Sequence, residues 1–385
     1  MYQNKRVFCS KAVIAFSLSI ILFATMIVGL SGCGSSSAEA TPVFKFAVFD
    51  DSRAASGATG TKNGDSNGAA AQIVKTIATD IAAQGVDFVL FPGDMVSGYT
   101  DSTTLSSELD TWKTAMAPVY NANIPVYTTR GNHEYDDLTN GASNPDDPSR
   151  ATYLAHFVMP TNGPTKNGAG LSEVGLTYSF TWKGVKFIAF DNYAGRTTSF
   201  DNTKYAPGSN KGQMMSSWVL DEINNSTAGL NFVMSHEMMW PTTSHPDCLA
   251  NDPDDRDALV TALAAKNGTY FAGHNHMWVR GTMSDGKGAK IPAFTIGTGG
   301  GGNYDYAVYD VVKQGYTGSS SYSIQQVRAS SANPVFGYML VTVYSDNTWK
   351  GEFRAFQYNK WNDATDHSTT AITVWDSFMN TDMLK

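Results

Sequence analysis

The chain predicts an α/β fold, and three observations carry that expectation. From Val43 onward, strand candidates alternate with amphipathic helices. The strands end in polar residues, where parallel sheets of this class keep their chemistry. The composition, 42% hydrophobic and 16% charged over 385 residues, suits a sizeable core and excludes a disordered chain.

Taken in order, "VFKFAVFD" reads as the first strand. "AAAQIVKTIATDIAAQG" follows with Ile73, Ile77 and Ile81 four apart and a closing glycine, the pattern of an amphipathic helix. "VDFVLFPGD" is a buried strand ending in Gly-Asp, and after a second helical stretch "IPVYTTRGNHE" is another strand with a polar end. "LTYSFTWKGVKFIAFDN" predicts a hairpin turning at Lys183 and Gly184. "QMMSSWVLDEINN" places Met215, Trp218, Val219 and Ile223 on one helical face, and "LNFVMSHE" is a strand running out at His236. The helix "DRDALVTALAAKNG" leads into the strand "TYFAGHNH", and beyond about 290 the chain is strand-rich, with "AKIPAFTIG" and "GYMLVTVY" the best cases. The long polar loops 135–150 and 194–212 read as insertions over a site. No internal repeat or composition shift divides residues 43–385, which are expected to form one domain.

Residues 1–32 read differently. Lys5, Arg6 and Lys11 form a basic head, Ala12 to Leu30 an apolar body, and "LSG" a small-residue end before Cys33. This resembles a bacterial lipoprotein signal, which implies cleavage before Cys33 and lipidation of that residue. The alternative is an uncleaved membrane helix, since the apolar run could just span a bilayer. Either way the domain is expected outside the cytoplasm, on a small-residue tether over 33–42. Loss of three basic residues takes the formal charge from -8 to about -11, a poor balance for binding a nucleic-acid backbone, so no nucleic-acid partner is expected. With Cys33 acylated, Cys248 has no disulfide partner and is expected to be idle.

The polar strand ends carry the chemistry: Asp51 in "FDDSR", Asp94 in "FPGD", Asn132 and His133 in "RGNHE", His236 in "MSHE", His274 and His276 in "GHNH". A single Gly-Asp is usually a turn, and a single histidine usually packs. Five such clusters in chain order, all at carboxyl ends of strands, point to one site. In a strand or its exit, residues two apart point the same way, so His274 and His276 are expected to converge. Asp and Asn oxygens mixed with imidazoles suit Zn, Mn or Fe better than Ca or Mg. Two such metals sharing a carboxylate can orient and deprotonate a water for in-line attack on phosphorus.

This order, Asp, GD, GNHE, His, GHxH, resembles the calcineurin-like metallophosphoesterases, with "YLAHFVMPTNGP" and the hairpin similar to purple acid phosphatase-like members. The resemblance implies a two-sheet α/β/β/α sandwich with mixed sheets and helices on the outer faces. It implies that Asp94 bridges two metal ions, with Asp51 and His276 completing one site and Asn132, His236 and His274 the other. His133 would assist the phosphoryl group or leaving oxygen as a protonated imidazole, without binding metal. The implied function is hydrolysis of a small phosphate ester, of the phosphomonoesterase or acid phosphatase kind. The alternatives are a phosphodiesterase on the same site and a non-catalytic metal-binding surface lipoprotein.

The first motif departs from the family. Many members have Asp-x-His where this chain has Arg53, and purple acid phosphatases supply a tyrosine where it has Ser97. Arginine keeps its proton, so Arg53 is a poor ligand. The first site is then expected to be weak, or to recruit Tyr99 or waters, while Arg53 grips the substrate phosphate through its planar fork. "GTGGGG" over Gly297 to Gly302 lacks the helix and lysine of a P-loop and reads as a tight turn near the site rim. Tyr99, Tyr135 and Trp240 adjoin motifs and are candidates to line the mouth. His156, His245 and His367 match no motif, and the acidic stretches read as solvated turns.

Overall fold

Strand β1 (Pro42–Val48) shows how the layers arise. Phe44, Phe46 and Val48 point into one apolar cluster while Ala47 and Phe49 point into another, the period-two alternation of a strand buried on both faces. A computed structural model describes residues 40–54, 65–135, 148–166, 172–194, 215–240, 249, 253–302, 321–328, 332–359 and 368–385. The segment 1–32 with Cys33, residues His245, Cys248 and His367, and most of the long polar loops lie outside the described residues. Residues Ala40–Lys385 form one unit.

Helix α1 (Ala71–Ala83) follows β1, buries Ile73, Ile77 and Ile81, and is followed by Gly85 at φ +64°. Then come β2 (Phe88–Phe91), α2 (Ser102–Ala115) and α3 (Ala117–Asn121). The Asp101 carboxylate caps α2 by accepting from Thr103 and Thr104 N–H. Strand β3 (Val126–Thr128) leads into the one-turn α4 (Asn132–Tyr135), followed by α5 (Pro148–His156). The hairpin of β4 (Tyr178–Trp182) and β5 (Val185–Ala189) turns at Lys183, φ +46°, and Gly184, φ +83°, a two-residue turn left-handed at both positions. Helix α6 (Ser217–Asn224), β6 (Asn231–Met234), α7 (Pro253–Ala264) and β7 (Gly268–Ala272) complete the alternating part. The remainder is β8 (Trp278–Ser284), β9 (Lys290–Ile296), β10 (Ser321–Arg328), β11 (Val335–Tyr344), β12 (Trp349–Gln357), β13 (Thr373–Met379) and α8 (Asn380–Met383).

The strands form two mixed sheets, ordered β13-β12-β11-β1-β2-β3 and β10-β8-β9-β7-β6-β5-β4. Strands β1, β2 and β3 are parallel in the first, and β5, β6, β7 and β9 in the second. Between the sheets lies an aromatic core: Phe46 has Phe88, Phe187 and Phe232 within 5.4 Å, centre to centre. Helices α1 and α2 pack on the outer face of the first sheet, and α6 and α7 on that of the second. The architecture is therefore the expected helix–sheet–sheet–helix sandwich. Among the described residues, no helix is long and apolar enough to cross a membrane.

Helices α5 and α8 had no counterpart in the sequence reading, and nor did two elements at the site. Strand β8 starts two residues after His276 and pairs antiparallel with β9 and β10. Helix α4 tightens the "NHE" stretch into a turn because the Glu134 side chain is drawn inward by backbone donors.

Candidate metal centre

All the polar strand ends meet at the same edge of the sandwich because the strands preceding them are parallel. Asp50 and Asp51 follow β1, Asp94 follows β2, Asn132 follows β3, His236 follows β6, and His274 and His276 follow β7. The connecting loops are locked to one another. The buried Glu134 carboxylate accepts from the backbone N–H groups of Asp94 (2.9 Å), Met95 (2.7 Å), Val96 (3.2 Å) and Gly131 (2.8 Å). Gly131 and Gly273 permit the close approach. A Cβ on Gly131 would stand 2.0 Å from Asp94 Oδ1, and one on Gly273 1.7 Å from Asp50 Oδ2. Asp51, Asp94 and His274 adopt positive φ (58°, 50° and 66°), a strained backbone that the surrounding bonds must hold.

Three donor groups result: two share Asp94, and a third joins Asp50, Asp51 and His236 behind them. On one side, Asn132 Oδ1 lies 3.1 Å from His236 Nε2 and 3.0 Å from His274 Nδ1. Asp94 Oδ1 is 3.3 Å from the same His236 nitrogen, and the two imidazole nitrogens are 3.2 Å apart. On the other side, Asp51 Oδ1 faces His276 Nε2 at 3.6 Å, and one ligand atom from each of Asp51, Asp94 and His276 falls within 4.8 Å of the others. Neither carboxylate oxygen of buried Asp51 has a hydrogen-bond partner. A carboxylate buried in that way is costly unless a cation meets it. The residues therefore fit a pair of divalent cations, bound by mixed oxygen and imidazole donors.

The electrostatics of the site without ions agree with that fit. Burial pushes Asp51 up to about 7 and Asp50 well above the usual carboxylate range, with Asp51 adding to the latter. Against its own burial, Asp94 is held well below that range by His236, His133 and Arg53. His236, also against its burial, is raised by Asp94 and Asp50. His133 goes the other way: burial first, and Arg53 against the pull of Asp94, bring its imidazole down to about 3. Burial thus favours the neutral ring in the site without ions, whereas the role expected from the sequence is that of a protonated imidazole. The His133 Nδ1 lies 2.5 Å from the Ser97 carbonyl and so carries a proton, while Nε2 faces Asp94 Oδ2 at 3.7 Å.

The structure thus brings Asp51, Asp94, Asn132, His133, His236, His274 and His276 into one place, with Arg53 at its edge. The Arg53 Nε lies 3.9 Å from Asp94 Oδ2, on the opposite oxygen from the one facing His236. Several sequence expectations need correction. His274 and His276 do not converge on one point: β7 ends at Ala272 and the positive φ of His274 breaks the strand alternation, so the rings serve opposite sides of Asp94. Tyr99 supports the Asn132 side of the site. Its hydroxyl accepts from the Asn132 amide, and its ring centre is 4.2 Å from that of His133. Trp240 is a core residue, 1% exposed, and lines no mouth. The glycine run bends at 299–301 beside the site and packs on the donors: a Cβ on Gly301 would stand 2.5 Å from the His276 ring, and one on Gly297 2.5 Å from Asp51 Oδ2.

Sequence reasoning missed the supporting residues. Asp50 Oδ2 stands 3.3 Å behind His236 Nδ1, at ion-pair distance though off hydrogen-bond alignment. The doubled Asp of "FDDSR" was its only signal. His276 Nδ1 lies 2.9 Å from the Gly302 carbonyl, which leaves Nε2 toward Asp51. Arg130 Nε donates to Asp191 at 2.6 Å, a buried pair that ties the loop after β3 to the loop after β5.

Residues 64–278 match the model of the calcineurin-like phosphoesterase family. That stretch holds every donor except Asp51, and the departing first motif lies before it. No curated protein sequence matches the chain. Among solved structures, the chain is similar to the purple acid phosphatase PPD1 from yellow lupin (Lupinus luteus) seeds, with TM-score 0.55 and 15% identity over 89% of this chain and 55% of that one. It is also similar to PhoD (TM-score 0.57, 16% identity, 88% of this chain and 70% of that one). A dimetal phosphatase from Danio rerio gives TM-score 0.51 and 13% identity over 88% of this chain and 99% of that one. At such identities the likeness shows the fold. The chain spans about half the length of the lupin protein.

Proposed function

The chain belongs to the calcineurin-like phosphoesterase family, and from that premise we propose that it hydrolyses small phosphate monoesters at a dinuclear metal centre. One observation carries the reading: Asp94 stands between two groups of buried oxygen and imidazole donors, one of them with carboxylate oxygens that nothing else satisfies. Asp94, Asn132, His236 and His274 would hold one ion, and Asp51, Asp94 and His276 the other. Bound there, two ions of Zn, Mn or Fe supply the positive charge that neutralises phosphoryl oxygens and makes water acidic enough to attack.

The chain's own residues do the rest. Glu134 fixes Asp94 against the Gly131 loop, and Tyr99 holds the Asn132 amide nitrogen so that its oxygen faces the imidazoles. Arg53, with its side chain 20% exposed, presents a permanent cation at the edge of the site and grips the ester phosphate. His133, 13% exposed, stands beside Arg53 and Asp94 with Nδ1 on the Ser97 carbonyl and Nε2 toward Asp94, so that Nε2 can take a proton from solvent as substrate enters and give it to the leaving oxygen. An arriving phosphate dianion raises the proton affinity of that nitrogen.

The test is release of nitrophenol from mono- and bis-(p-nitrophenyl) phosphate by protein loaded with Zn, Mn or Fe. Faster turnover of the monoester supports the reading, and faster turnover of the diester makes the chain a phosphodiesterase. Two bound ions without turnover would make it a metal-binding surface protein. Arg53→Ala is expected to raise KM for the monoester with ion content at saturation unchanged.

The sequence of residues 1–33 supports a site outside the cytoplasm, carried on a lipid at Cys33. Incorporation of labelled fatty acid in cells, lost in Cys33→Ala, is the expected result. Label retained by that variant would refute the anchor.

A further inference from the structure

The two sides of the centre are built unequally. Among the described residues, four side chains converge on the first group, Asp94, Asn132, His236 and His274, against three on the other, Asp51, Asp94 and His276. Their supports differ too. A buried carboxylate, Asp50, backs His236, whereas a neutral carbonyl, that of Gly302, backs His276. A carboxylate behind a ligating imidazole makes it a stronger donor and fixes its orientation. A third difference is charge. Asp94 turns Oδ1 to His236 and Oδ2 to Arg53 and His133, so its second oxygen already faces a guanidinium that cannot lose its proton.

Resting on the dinuclear reading above, we propose that this chain fills its two positions in order. The Asn132–His236–His274 side takes an ion first and retains it. The Asp51–His276 side takes the second ion more weakly and exchanges it with solution, because it has fewer donors among the described residues and Arg53, 3.9 Å from Asp94 Oδ2, repels the incoming charge. Arg53 is then a residue that sets metal affinity as well as a contact for phosphate. Activity would follow the free concentration of the weakly held ion.

The experiment is calorimetric titration of the metal-free full chain with Zn or Mn, alongside ion content after dialysis. Two classes of site separated by about tenfold or more are expected, the scale of effects from groups around a metal ligand. Dialysis should leave a single equivalent. Arg53→Ala and Arg53→Gln should tighten the weaker class and narrow the gap, whereas a merely structural arginine would leave affinity unchanged or reduce it. His276→Ala should abolish the weaker class alone, and Asp50→Asn should loosen the tighter class by about 10- to 100-fold. Thermal melts of the metal-free variants establish that each is folded. Two classes of equal affinity, or a weaker class left unchanged or loosened by both Arg53 variants, would overturn the proposal and leave the dinuclear reading standing. Folded protein that takes up no ion would overturn both.

Discussion

The aromatic core between the sheets and the polar cluster at their edge are both buried, and they are built on opposite terms. Phe46 sits in an apolar cluster, and the rings meet at ordinary stacked or edge distances. At the edge, three carboxylates and three imidazoles are crowded together, three of the donor residues have left-handed backbone, and the Asp51 carboxylate has no hydrogen-bond partner among the described residues. The first region stabilises the fold by removing apolar surface from water. The second is held in place at the expense of that stability, as expected of a site built to meet something the chain itself does not supply.

The largest effect that tests this contrast is Asp51→Asn. Activity should fall by more than about 100-fold, the upper range for losing only a group behind a metal ligand. The metal-free protein should become more stable at the same time. Burial raises Asp51 to about 7 in the folded chain, above its unfolded value, so its ionisation costs stability as pH rises toward 7. Melting curves of metal-free protein should therefore coincide near pH 4 and separate above pH 7, with the variant higher. A variant that melts lower at pH 8 would break the contrast.

Phe46→Ala should do the reverse. Removing this ring is expected to cost about 3–5 kcal/mol in denaturant unfolding, with turnover per folded molecule unchanged. Asp191→Asn probes the seam between the regions. It leaves Arg130 buried beside an uncharged partner, and a loss of about 3 kcal/mol is expected. If that loss came with unchanged turnover, the pair would belong with the core; reduced turnover would place it with the site.

The smallest effect concerns Glu108 on α2, whose carboxylate accepts from Gly98 N–H and is raised by burial to about 7. Glu108→Gln keeps an acceptor and removes a charge whose burial is unfavourable once ionised. It should stabilise the protein by about 1 kcal/mol above pH 7 and not at all near pH 4. Equal stability at both pH values would show that solvent already screens the group.

How much of this was legible in the sequence depended on whether the signal was local. Ile73, Ile77 and Ile81 announce α1, and Lys183-Gly184 announces its hairpin, because helix period and left-handed turn chemistry are properties of neighbouring residues. The motif order could likewise be read from the chain, since parallel strands deliver their polar ends to one edge whatever lies between them. Asp50 behind His236, Gly302 behind His276, and Tyr99 on Asn132 were not legible, each being separated from its partner by tens of residues or more. Trp240, read as a mouth residue, proved to be core because adjacency to a motif does not say which way a side chain points.

The sequence by itself determined the elements, the alternation that buries their faces, and the inventory of donors, since each follows from short-range periodicity and residue chemistry. Only the tertiary structure decided which donors share an ion, which side of Asp94 each histidine serves, and where the charge of Arg53 falls. Those outcomes depend on a few ångströms between loops from two different sheets, a distance that residue spacing along the chain does not encode.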